Sequence, residues 1–397
     1  MRRLLLVMVL AAAGVTGASV SARAESVFGL YFLGERVETG GARTGALGGF
    51  VQMVDDTLGI LQYNPATMAW AKRVTFGVAG YFTSNQGTGE GIERTANATK
   101  VSMFAFAFPV YKKRVSLGFA FRGRYDPDGE FRVEQTTPEG DLYADDYVRS
   151  GGLWSVPFTI AVDVSPRIKV GGFVSLERGH IDDLWTVNFQ ESDNADAGSQ
   201  QTRTASGTGY GAGVALRPHN SVSLGATFET DINYDVDLAV RNTSESANRD
   251  STETATLPAR VTLSAIWRVS RQVNLYGGYS SSDFGKFEGF DFDQDRLVRE
   301  EVVALGAEYR RGPNWPIRVS ARYETLPYTM PADQEISGVA FGLGTGLLFR
   351  SGRGKLDVAL QFGKMGSADS NGYSDRSVRF MMSITGSEEW RSKREDR

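Results

Sequence analysis

The connections in this chain come in two lengths, and the two lengths alternate without a break. After Asn64 the sequence falls into fourteen segments with period-two alternation, running from Val74–Phe82 to Arg376–Ser387. In the clearest, Leu356, Val358, Leu360 and Phe362 share one face and Lys355, Asp357, Ala359, Gln361 and Gly363 the other. Val115–Arg124, Ser221–Glu229 and Val378–Ile384 repeat the pattern. Such alternation is the mark of a strand with one apolar face. Between segments stand the short links YKKR, SPR, PHN, SR, GPN and SGR, and in the intervening places polar links of nine to twenty-one residues. An even strand number, tight turns at one end and long loops at the other are expected of a transmembrane β-barrel. A soluble sandwich has no need of this side-to-side order.

The expected fold class is therefore all-β: a fourteen-stranded antiparallel transmembrane barrel over residues 74–387. Forty-six glycines among 397 residues, with few prolines, suit many strands and turns. No apolar run after the first two dozen residues is long enough for a spanning helix. Tyr125, Tyr147, Trp154, Trp185, Trp267, Tyr309, Trp315 and Tyr323 lie near strand ends, as interfacial girdles would place them. Pro157 falls inside the fourth strand, where it removes a ladder hydrogen bond, with Gly151 and Gly152 just before it. A bulge or a weakened wall beside the third strand is expected there.

The first residues explain how such a chain would reach a membrane outside the cytoplasm. Arg2 and Arg3 precede an apolar core, Leu4–Val15, and Ala22-Arg23-Ala24 has the small-x-small pattern of a cleavage site. Residues 1–24 are expected to be a signal peptide, with the mature chain starting at Glu25. There are no cysteines, so disulfides, thiolate metal sites and lipid attachment at cysteine are excluded. Net charge is −4, and removing Arg2, Arg3 and Arg23 takes it to −7. That balance argues against a nucleic-acid partner.

Chemistry is sparsely supplied. The two histidines are His180, in a strand, and His219, in a tight turn. No nucleophile signature surrounds either, and no enzyme activity is expected. Gly342–Gly346 sits inside a strand with no helix after it, so it fails as a phosphate loop and is expected to relieve crowding or bend the wall. Gly87–Gly91 lacks the Lys-Ser/Thr of a P-loop. Asp291, Asp293 and Asp295 alternate in a long loop without the glycine of a calcium loop, and read as a solvated acidic stretch. Neither a cofactor nor a metal is expected.

The stretch GARTGALGGFVQMVDDTLGILQYNPATMA, residues 41–69, carries a Gly/Ala-rich lead, the pair Asp55-Asp56 and the tripeptide Asn64-Pro65-Ala66. It resembles the FadL/TodX-like family of outer-membrane transporters for long-chain fatty acids and hydrocarbons. The resemblance implies a fourteen-stranded barrel with an N-terminal hatch in its lumen, here residues 25–73, and leaves 388–397 as a charged tail. It makes Asp55, Asp56, Asn64, Pro65 and Ala66 gating or structural residues, with the aspartates pairing lumen arginines such as Arg122 or Arg124. It implies passive uptake of hydrophobic small molecules across the outer membrane of a Gram-negative-type bacterium. An apolar pocket above the hatch would be lined by Ser26–Gly34, and exit would be sideways through a gap near Gly151, Gly152 and Pro157. A charged lumen above the tripeptide would sink the reading of uptake through it. Expected partners are a hydrophobic small molecule, outer-membrane lipid and lipopolysaccharide, and the barrel assembly machinery, with the barrel acting as a monomer. PorV-like barrels, which dock proteins in secretion and surface attachment, share the fold and are the alternative. The sequence departs from the family at its end, where Trp390 and RSKREDR follow Ile384, so assembly would read Phe380 and Ile384, or Trp390.

Overall fold

A sheet with two dissimilar faces closes on itself here, and the face that is polar in sequence is the one that becomes buried. The computed structural model describes residues 26–389, except 39, 50–57, 62–63, 90–91, 112–113, 139–140, 191–195, 245–246, 291, 313, 331–333 and 350–351. The wall strands are β1 (Val74–Gly89), β2 (Ile92–Tyr111), β3 (Val115–Asp126, continued by Gly129–Thr136), β4 (Leu142–Ser165) and β5 (Ile168–Gln190). β6 (Ala197–His219), β7 (Val222–Glu229, continued by Ile232–Asn242), β8 (Arg249–Leu257, continued by Arg260–Arg268) and β9 (Val273–Asp283) follow. β10 (Arg299–Tyr309), β11 (Ile317–Thr329), β12 (Glu335–Leu348), β13 (Gly354–Gly366) and β14 (Tyr373–Glu388) complete the wall. Each pairs antiparallel with the next, and β14 pairs with β1 from Tyr373↔Gly89 to Glu388↔Val74. The fourteen expected strands are thus present as a closed barrel. Among the described residues no helix is long and apolar enough to cross a membrane.

The faces are inverted relative to a soluble protein. Leu305 is 65% exposed and Phe341 58%, while Asp357 and Gln361 are buried on the inward face of β13. Large apolar side chains outside and small or polar ones inside follow from lipid on one side and a filled lumen on the other. Inward alanines such as Ala79, Ala105, Ala107 and Ala161 pack around Leu61 and Met68 of the N-terminal segment.

Several boundaries differ from those expected. Residues 83–98 and 126–146, read as loops, are mostly strand, because β1–β2 and β3–β4 extend as hairpins beyond the apolar band. The seventh and eighth segments are each two strands in line, broken after Glu229 and after Leu257. Pro258, which cannot donate to a ladder, lies in the second break. Tyr125 does not join a girdle. It is buried inside, where its hydroxyl meets Arg260 at 3.0 Å.

The described part of the N-terminal segment lies against inward-facing wall residues. A one-turn helix, Ala42–Gly45, rests on β12, β13 and β14, and a 3-10 helix, Pro65–Trp70, on β3 to β6. The glycine run in β12 makes room for the first of these. A Cβ at Gly344 would lie 2.4 Å from that of Ala46, and one at Gly342 would lie 3.2 Å from the Gly45 carbonyl oxygen. Residues 1–24, the tail from 390, and Asp55 and Asp56 lie outside the described residues.

Candidate functional site

Asn64-Pro65-Ala66 bonds the N-terminal segment to the wall, a contact called the latch below. Proline opens the 3-10 helix at its first position, where its missing N–H costs nothing. Asn64 caps that helix: its Oδ1 accepts from the Ala66 N–H at 2.9 Å. Its Nδ2 turns outward and donates to the carbonyls of Val214 (3.1 Å) and Ala226 (3.3 Å), paired residues of β6 and β7. An amide can accept from its own helix and still give one N–H to each of two wall carbonyls, which a hydroxyl with its single donor cannot. Two wall glycines admit the tripeptide. A Cβ at Gly213 would lie 2.3 Å from Asn64 Oδ1, and one at Gly171 2.7 Å from the Ala66 nitrogen.

Above the latch, toward the long-loop end, the lumen is charged. Arg124 holds Glu177 through two bonds (2.6 and 2.8 Å) and Glu229 at 3.0 Å, and Arg122 reaches Glu229 at 3.2 Å. The N-terminal segment joins the same layer, with Arg36 paired to Glu300 and Glu38 to Arg322 and Arg379, while its Arg43 pairs with Glu308 at the short-turn end. Asp55 and Asp56, expected to meet Arg122 and Arg124, lie outside the described residues. The expected apolar pocket directly above the tripeptide is therefore replaced by ion pairs.

The apolar layer lies higher. Phe28, Phe32 and Leu33, from the stretch expected to line a pocket, are packed in a dense core with Phe284, Phe287, Phe290 and Tyr328. Phe32 meets Phe284, Phe287 and Phe292 edge-on at 5.5, 4.7 and 4.7 Å. The link between β9 and β10, read as polar, thus folds inward over the lumen on its phenylalanines. Asp293 caps a short turn there and pairs with Arg296 at 3.3 Å.

At the same height the wall has an open seam. β2 and β3 pair only as far as Met103↔Arg122, and their upper halves separate. The N-terminal segment takes the edge that β2 releases: Glu35 and Arg36 pair with Asp126 and Tyr125, and the Val37 N–H donates to the Arg124 carbonyl at 2.9 Å. Higher still, among the described residues, side chains cross the seam. Lys100 bonds Asp126 and Asp128, and Arg94 pairs with Glu130. Behind them is a mostly apolar crevice lined by Val27, Leu30, Ala96, Phe131 and Tyr373.

The residues expected at a lateral gap border β3 on its other side. The β3–β4 ladder skips Ala120 and Phe121, opposite Val156 and Pro157, while Pro157 still faces Ser175 of β5. Gly151 has φ +123°, where an added Cβ would sit 1.9 Å from the His180 carbonyl oxygen. Its N–H donates to Asp128, in the break of β3. β3 thus lacks partners in β4 at Ala120 and Phe121 and in β2 beyond Arg122, two gaps at different heights on its two edges.

Glu35 faces a polar cavity shared with Glu324, Asp375 and Arg379. Burial pushes its carboxyl above the usual range, against the opposing pull of Arg379. A carboxyl raised in the folded state favours folding at acid pH, and that stability is lost as pH rises through the carboxylate range. Glu35→Gln is expected to match the wild type at about pH 3 and to exceed its stability at about pH 8. Denaturation midpoints at both pH values check this, and a difference that does not change with pH would count against it.

His180 bonds Asp182 (2.8 Å) and Thr204 (3.5 Å), and His219 bonds Ser221 (2.7 Å). Among the described residues no cluster of three metal-ligating side chains occurs.

The fold is that of known hydrophobic-compound channels. A Pseudomonas aeruginosa FadL homologue superposes with a TM-score of 0.62 at 11% identity, covering 89% of this chain and 99% of that one. The Pseudomonas putida toluene transporter TodX gives 0.59 at 13%, covering 89% and 100%. The Ralstonia pickettii toluene transporter TbuX gives 0.58 at 14%, covering 88% and 99%. No curated protein sequence matches. At these identities the likeness carries the architecture, which agrees with the FadL/TodX-like resemblance of residues 41–69. The family model that matches is BamG, over residues 1–395, and the chain belongs to the BamG family.

Proposed function

We propose that this barrel passes hydrophobic small molecules across the outer membrane by a route confined to its upper half. The observation that carries the reading is a coincidence of height. The seam between β2 and β3 opens beside the apolar crevice of Val27, Leu30 and Phe131, above the charged layer. An apolar solute entering from the long-loop end would not cross the ion pairs, whose displacement would strand buried charge. It would leave sideways past β3 into lipid, by diffusion, parting the Lys100 and Arg94 pairs that cross the seam. Asn64 and the ion pairs then act as the seal against water. Toluene, carried by TodX and TbuX, and the fatty acids implied by the resemblance of residues 41–69 leave the solute class open between aromatics and acyl chains.

Leu30→Glu tests the route by placing a charge in the crevice beside the seam. Uptake of toluene and of oleate by cells expressing the barrel is expected to fall severalfold, with the amount of folded barrel unchanged. Unchanged uptake of both would overturn the route.

A second reading rests on the BamG match and on the braced lumen. A sealed barrel is also a platform, and the family name points to the barrel assembly machinery. Wild-type uptake no greater than in cells lacking the barrel, with co-purification of assembly components, would favour docking.

A further inference from the structure

The two ends of the barrel carry opposite charge with no exception among their connections. Each of the six short turns has an arginine in it or beside it: Arg114, Arg167, Arg217, Arg271, Arg311 and Arg353. None of the short turns contains an aspartate or glutamate. Every long connection holds at least one acid, as Asp141, Asp196, Glu288 and Asp369 illustrate. Five of the six arginines are exposed, and Arg217 is half-buried. Just toward the membrane from them stand outward aromatics, with Tyr111 59% and Trp315 65% exposed. Aromatics at that height mark the interface between hydrocarbon and head groups. The guanidinium groups therefore stand at head-group level.

We propose that this rim is a collar that binds anionic phospholipid head groups of the periplasmic leaflet. The guanidinium fork matches a phosphate with two parallel hydrogen bonds, and its apolar stem lies along the barrel while the charge reaches the interface. Successive turns are two strands apart, about 10 Å or more along the rim. That spacing gives each arginine its own phosphate. The distribution also decides between occupants. A docked protein covers one sector of a rim, whereas lipid surrounds it, and here the arginines go all the way round. The acidic opposite end would be repelled by the same lipids, so the collar also fixes the direction of insertion. This inference rests on the barrel spanning a membrane, and on no property of the seam.

The test is purified full-length barrel in nanodiscs of mixed phosphatidylethanolamine and phosphatidylglycerol, with retained lipids counted by native mass spectrometry. Wild type is expected to retain phosphatidylglycerol several-fold above its bulk share, with the excess falling as salt rises. Replacing all six arginines by glutamine is expected to bring retention to the bulk ratio. Six lysines should keep most of the excess, since charge is preserved. Folding of each variant is followed by heat-modifiable migration, and the salt titration needs the wild type alone. Retention at the bulk ratio in the wild type, or an undiminished excess in the glutamine variant, would overturn the collar. So would arginine-dependent capture of an acidic periplasmic protein without lipid preference. Failure of the wild type to enter nanodiscs at all would overturn both the collar and the membrane reading.

Discussion

Glu308→Ala is expected to give the largest loss of stability of any single change in the wall. Glu308 has no exposed side-chain surface, and its two oxygens serve Arg43 (3.0 Å), Arg318 (2.7 Å), Arg310 (2.6 Å) and the Tyr276 hydroxyl (3.2 Å). Arg43 belongs to the N-terminal segment, while Arg310 and Arg318 flank the turn between β10 and β11. Removing the carboxylate leaves Arg43 and Arg318 buried with one acid fewer between them, although Arg318 keeps Asp357 at 2.8 Å. Breaking one side of a buried pair typically costs about 3–5 kcal/mol, because the remaining charge is stranded. Two consequences are expected: a much lower midpoint for unfolding in detergent, and faster proteolysis of the N-terminal segment. Glu308→Gln should fall between, since one oxygen can still accept from an arginine. An unchanged midpoint in the alanine variant would show that Arg43 is held by other means.

The same cluster explains which parts of the molecule were open to reading. The wall was legible because lipid demands one apolar face on every strand, and that demand is local. Leu356, Val358, Leu360 and Phe362 announce it within a single segment. Arg43 and Glu308 meet across 265 residues of chain, and no local pattern ties one to the other. The charged layer was hidden for that reason, and with it the filling of the lumen. The link from Asp283 to Leu297 misled differently. Its acids suggest a solvated loop, yet Phe284, Phe287 and Phe290 are spaced to gather on one side of a turning chain and are buried. Pro157 and Pro258 had the same signal with different outcomes. Pro157 leaves its strand continuous and costs pairs on one side, while Pro258 lies where β8 breaks. A proline marks where a ladder is weak, but neighbouring strands decide whether the strand ends.

Gly213→Val should turn a closed barrel into a leaky one. The glycine lies in β6 at an ordinary backbone conformation, so the objection to a side chain is purely one of space. A Cβ there would stand 2.3 Å from Asn64 Oδ1 and 2.8 Å from Pro65 Cδ. Both neighbours are held: Asn64 by the carbonyls of Val214 and Ala226 and by its own helix, and Pro65 by its ring. The valine therefore expels the latch, which loses two part-buried hydrogen bonds and a helix cap. Loss of the bonds and the cap costs about 1–3 kcal/mol in all. The hatch remains tied through Arg36, Glu38 and Arg43, so the variant should fold yet admit water past Pro65–Trp70. In planar bilayers the wild type is expected to show no steady ion conductance and the variant discrete open steps. Gly312→Ala is the matched control, because nothing lies within 4 Å of a Cβ at that turn. Asn64→Asp should leak as well, since a carboxylate facing the carbonyls of Val214 and Ala226 can only repel them. Silence from both Gly213→Val and Asn64→Asp would mean that the barrel is closed by its charged layer alone, with the tripeptide reduced to a turn.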